Sequence, residues 1–175
     1  MVSRRDRCFV ALTLFGCFCG CGGIPSQEQV AVALYRLGEA AEEVIAQVEP
    51  SPQPLPDGRC PVTEVRAERG SAAWAFTDEA CTPTQGQVVF SAFSLTGATT
   101  LQGSVSVTRA APGVLTLSTR NALTLGEVSA RIEADGLGVT LAPGPSVVLS
   151  GAVVVNEKRD KVLTFAGEAY AVPTP

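Results

Sequence analysis

Between Gln27 and Val48, apolar side chains recur at alternating steps of four and three: Val30, Leu34, Leu37, Ala41, Val44 and Val48. This spacing gathers them on one face of an α-helix, with Arg36, Glu39, Glu42, Glu43 and Gln47 largely off it. Ser26 followed by Gln29 forms a capping-box signature, and Pro50 supplies the stop, so residues 27–49 are assigned to one amphipathic helix. Its apolar face needs a cover. Packing on the protein's own sheet is one solution; a coiled coil with a partner or a second copy is the other, weakened by three short heptads that include Gly38 and Ala41.

Beyond Cys60 the period changes from helical to two. Leu101, Gly103, Val105 and Val107 alternate with Gln102, Ser104, Ser106 and Thr108, which gives a strand one apolar and one polar face. Forty-eight residues later the pattern returns: Leu101–Leu117 (LQGSVSVTRAAPGVLTL) aligns without a gap to Leu149–Phe165 (LSGAVVVNEKRDKVLTF), with seven identities in 17 positions. The matched ends read as strands, and the divergent centres, Thr108–Gly113 and Asn156–Lys161, read as hairpin loops. A fainter echo runs through Glu64–Phe76. Gly103 and Gly151 occupy the same point of the inward row, where a bend, a bulge or close packing explains a glycine and a gap for a ligand is the functional alternative.

Further strands are predicted at Gln87–Leu95, Val114–Thr119, Leu123–Ala134 and Leu137–Leu141, with Asp135-Gly136 as a hairpin turn between the last two. The expected fold is therefore all-β: an antiparallel meander of about nine or ten strands with an internal hairpin repeat, curled into a sandwich or half-open barrel and preceded by one helix. Residues 60–175 form this domain. Residues 50–59 form a linker in which Pro50, Pro52, Pro54 and Pro56 favour extended chain.

The first 20 residues have another character. Arg4, Arg5 and Arg7 precede an apolar run, Cys8–Phe18, too short to span a bilayer, which is the layout of an export signal. Gly16-Cys17 and Gly20-Cys21 then resemble the lipobox of bacterial lipoproteins. The resemblance implies that a cysteine is acylated and becomes the mature N-terminus, and that residues 21–26 form a lipidated leader to the helix. Cys21 is preferred over Cys17, because processing there leaves one acylated cysteine plus Cys60 and Cys81 with no stray thiol. It also implies an outer-membrane location, facing the periplasm or the exterior, since Gly22 rather than Asp follows Cys21. A soluble exported protein is the plainer alternative.

Export carries Cys60 and Cys81 to an oxidising compartment, where a disulfide is the natural pairing. Metal ligation is disfavoured, because two cysteines without any histidine do not complete a typical zinc shell. Removal of residues 1–20 takes Arg4, Arg5, Asp6 and Arg7, leaving 10 basic and 16 acidic side chains and a net charge of −6. Such a chain is no nucleic-acid binder and is not drawn to anionic lipid, so contact with the membrane falls to the acyl chains.

The sequence contains no histidine, which excludes Ser/His/Asp and Cys/His mechanisms for the chain acting alone. Walker A, dinucleotide, HExxH and EF-hand signatures are also missing from it, and no cofactor is implied. Asp78, Glu79, Glu127, Glu133, Asp135, Glu157, Asp160 and Glu168 supply acids for a paired-carboxylate hydrolase, but each has a turn, loop or polar-face explanation. Trp74 and Phe76 offer an aromatic face, for which core packing beside Cys81 is the simpler account. The reading is a non-enzymatic, lipid-anchored envelope protein with a structural or protein-interaction domain. The alternative is a carrier or chaperone of an apolar ligand, held in a cavity of the curved sheet.

Overall fold

The computed structural model describes residues 25–48, 52–95, 100–119, 123–125, 130–156 and 160–173. One helix, α1 (Gln27–Val48), precedes ten strands: β1 (Thr63–Arg66), β2 (Arg69–Phe76), β3 (Gln85–Ser94), β4 (Leu101–Ala111), β5 (Val114–Ser118), β6 (Leu123–Leu125), β7 (Ala130–Ala134), β8 (Leu137–Ala142), β9 (Ser146–Asn156) and β10 (Asp160–Ala171). The strands form a single antiparallel sheet that does not close, with β1 pairing only β2 and β10 pairing only β9 among the described residues. It is an open sheet with a helix on it, not a two-sheet sandwich.

Two expectations are corrected here. Leu123–Ala134 is not one strand but the short hairpin β6–β7, with Leu123 opposite Ile132. Asp135-Gly136 is not a hairpin turn, because β7 and β8 do not pair with each other. Both run antiparallel to β9, Ala134 opposite Val153 and Gly138 opposite Ser150, so β8 continues β7 after a jog. Three residues separate the β7 and β8 partners where β9 has two, which is the count of a β-bulge. A bulge and a type I′ turn both use a residue at positive φ, which Gly136 supplies at 63°, so the local sequence does not tell them apart.

The same relation joins β5 and β6, which both run antiparallel to β4, with Leu117 opposite Val107 and Leu125 opposite Leu101. β5 pairs β8 while β6 pairs β7. With β5–β6 and β7–β8 each taken as one long bent strand, the path is a plain meander. The two bends are stitched together: Thr119 N–H donates to the Ala134 carbonyl (2.8 Å), Ala134 N–H to Thr119 Oγ1 (2.9 Å) and Gly136 N–H to Ser118 Oγ (2.8 Å).

The bend extends to the neighbouring strands through the duplicated glycines. Gly103 and Gly151 have φ of 123° and 122°, values that only glycine adopts without strain. A phenylalanine stands opposite each: Phe90 across from Gly103 and Phe165 across from Gly151, both buried. An aromatic ring beside a glycine covers the backbone that the missing side chain exposes. A Cβ at position 151 would lie 3.4 Å from Leu137 Cα and 3.5 Å from Leu137 Cδ1, ordinary contact distances, so it is the backbone conformation and not crowding that calls for glycine there.

Candidate functional site

The concave face of the sheet, where a carrier would hold its cargo, is occupied by α1. Ser26 caps the helix as the sequence indicates: Gln29 N–H donates to Ser26 Oγ (3.2 Å) and Ser26 N–H to Gln29 Oε1 (2.8 Å). Val30, Leu34, Leu37, Ala41, Val44 and Val48 are all buried, each at most 5% exposed. Ala31, Ala33, Gly38, Ala40 and Ile45 are buried as well, so the helix is enclosed over more of its circumference than a single stripe. The sheet wraps it, placing β1, β2 and β3 on one side and β8, β9 and β10 on the other. Gly38 allows the closest approach: a Cβ there would come within 3.0 Å of Leu141 Cδ2 and 3.2 Å of Val139 Cγ1.

Polar contacts fix the helix along its length. At its start, Gln27 Nε2 donates to the Thr164 carbonyl (3.0 Å) and to Tyr170 Oη (2.8 Å), tying it to β10. Midway, Arg36 pairs with Glu39 (2.8 Å) and reaches the Pro173 carbonyl (3.4 Å). Further on, Glu42 accepts the Gly113 N–H of the β4–β5 turn (2.8 Å) and pairs with Arg109 (3.1 Å). Burial, and after it the neighbouring Glu39, raises the Tyr35 hydroxyl above its ordinary pKa.

Outside this packed face lies an open groove of about 450 Å³, lined by Arg36, Glu39, Glu42 and Glu43 of α1 with Leu95 and Leu141. Its rim is charged, and Ala46, Leu95 and Leu141 give it an apolar lining; it lies open to solvent and does not enclose a molecule.

The remaining candidates are dispersed. Cys17 and Cys21 lie outside the described residues. Cys60 and Cys81 form a disulfide with Cα atoms 5.4 Å apart, fastening the end of the proline-rich linker to the β2–β3 turn. Trp74 is wholly buried and meets Phe76 edge to face at 6.1 Å; it belongs to the core. Among the carboxylates, Asp78 accepts the Thr82 N–H at 2.9 Å, and hydrogen bonds from Thr82 hold its pKa below the ordinary value. Glu79, Glu133, Asp135 and Glu168 are exposed at separate places on the sheet and its turns. Glu127, Glu157 and the side chain of Asp160 lie outside the described residues. No group of three or more metal-ligating side chains occurs among the described residues.

No family model, curated protein or solved structure matches this chain.

Proposed function

We propose that this chain is a lipid-anchored envelope protein whose β domain serves as a structural or protein-interaction module, not as an enzyme or a carrier. The observation that carries this reading is the seating of α1. Eleven buried helix residues fill the concave face, so loading an apolar ligand there would require the helix to leave. Departure would break the Glu42, Gln27 and Arg36 contacts and expose a core built from both elements. The lipobox-like Gly20-Cys21 and the histidine-free composition support the anchor and the absence of imidazole chemistry.

The helix docking also sets the role of the linker. Pro52–Pro56 follows α1, so it joins a docked helix to the first strand and does not hold the domain away from a bilayer. The deciding experiment expresses the full chain in a diderm bacterium and measures the intact mass of detergent-purified, membrane-derived protein. Acylation at Cys21, lost with membrane association in Cys21→Ser, supports the anchor, and acylation at Cys17 moves it. An unacylated soluble product overturns it. Stoichiometric co-purifying lipid released only on unfolding would favour the carrier.

A further inference from the structure

The outer face of the sheet, turned away from α1, is free of charge across its centre. Cross-strand partners there form a continuous ladder, Gln85–Thr108–Thr116–Gly138–Ser150–Ala166, spanning six strands from β3 to β10. The flanking ladders, Ala75–Gln87–Ser106–Ser118 on one side and Val114–Thr140–Val148–Ala169 on the other, span four strands each and are equally uncharged. Among the described residues, the charges that border these ladders are Glu64 and Arg66 on β1, Arg131 and Glu133 on β7, and the exposed Asp135 at the jog between β7 and β8. Charged residues make up 17% of the chain, so a solvent-facing surface of this size ordinarily holds several. Soluble sheets place lysine and glutamate on such faces to prevent association, and that protection is missing here.

The chemistry of the face limits what it meets. It offers no cation to a phosphate and no ring to stack on a sugar. Its serines and threonines are too polar for acyl chains. It does suit a second copy of itself. A two-fold axis sets every side chain near it against its own equivalent, so any charge there would oppose its like. An uncharged patch of Gly, Ser, Thr, Ala, Val and Gln escapes that cost. The chain carries a net charge of −4, and copies that meet through this face keep their charges on helix, loops and margins. The 14 positions of these ladders, at ~4.8 Å between strands and ~6.8 Å between ladders, cover about 450 Å² in projection and more as accessible surface. This is over half of the ~800 Å² per partner of a standard interface, the range of a weak, concentration-dependent dimer.

We propose that this face is the interface of a symmetric homodimer, sheet against sheet, with the axis passing near Gly138 and Ser150. At Gly138 no side chain intervenes, and the Ser150 hydroxyl of the neighbouring strand lies over the position its Cβ would take, which leaves a low surface for close approach. The proposal does not depend on the anchor.

The test uses the full chain purified in detergent, with the protein mass of the particle measured by light scattering across a dilution series. A two-chain particle is expected for the unmodified protein. Thr116→Glu and Ser150→Glu should each weaken association by at least about tenfold, while circular dichroism stays unchanged because both positions face outward. A mixture of Thr116→Glu/Ser150→Glu and Thr116→Lys/Ser150→Lys chains should recover the two-chain particle, which loss of folding does not allow. A monomer at all concentrations, a two-chain particle indifferent to these substitutions, or a particle containing a different protein would each overturn the proposal.

Discussion

Glu42 on α1 and Arg109 on β4 meet at 3.1 Å, with side chains 18% and 14% exposed, and Glu42 also receives the Gly113 N–H from the turn that follows β4. One carboxylate thus closes the helix onto the first copy of the repeated hairpin. Glu42→Ala removes one partner of a partly buried guanidinium and the acceptor of the Gly113 amide, and it should cost about 1–3 kcal/mol in urea denaturation. Pairing it with Arg109→Ala should recover part of that loss. Equal, additive losses would mean that the contact carries no coupling.

Gly151 opposite Phe165 makes a different demand. At φ of 122°, Gly151→Ala should destabilise through the backbone even though the nearest neighbour, Leu137 Cα, leaves room at 3.4 Å. Phe165→Ala should cost about 3–5 kcal/mol by opening a cavity over the glycine. Thermal denaturation of both variants checks the pair; a neutral Gly151→Ala would show that the bend does not need glycine.

Leu34 is 1% exposed on the buried side of α1. Leu34→Ala should cost about 2–5 kcal/mol and unfold helix and sheet in one transition, since both share a single core. Two separate transitions by circular dichroism and tryptophan fluorescence would instead describe a helix that folds and detaches on its own.

The Cys60–Cys81 bridge closes a loop with a sequence separation of 21, for which chain-entropy estimates give about 3 kcal/mol. The Cys60→Ala/Cys81→Ala protein should lose roughly that amount, and reductant should no longer affect its denaturation midpoint.

Asp78 links stability to pH within the same turn. Hydrogen bonds from Thr82 lower its folded-state pKa below 3.8, so its contribution is complete above pH 3.8 and disappears as pH falls through the folded value. Asp78→Ala should melt below the unmodified protein at pH 7, and the two melting temperatures should converge in acid. A difference that persists unchanged to low pH would assign the effect to packing and not to the carboxylate.

Much of this architecture is written locally. The helix bounds follow from Ser26, Gln29 and the four-three spacing of Val30 to Val48, because a cap and a 3.6-residue period act over a few residues. The duplicated hairpins at Leu101–Leu117 and Leu149–Phe165 were legible for the same reason: period two fixes which side chains point inward. The disulfide followed from counting cysteines. Strand pairing was less legible. Asp135-Gly136 resembles a turn because its dihedral requirement is that of a turn; only the neighbouring strand β9, running past both β7 and β8, makes it a jog.

The sequence by itself determined the helix, the repeated hairpins and their inward faces, along with the absence of imidazole chemistry, since these depend on residue type and short-range spacing. Tertiary structure alone decided that the helix sits inside the curve of the sheet. It also decided that phenylalanines fill the places opposite the paired glycines and that uncharged positions from six strands align into one outer face. Those relations join residues far apart in the chain, and no local preference encodes which strand lies beside which.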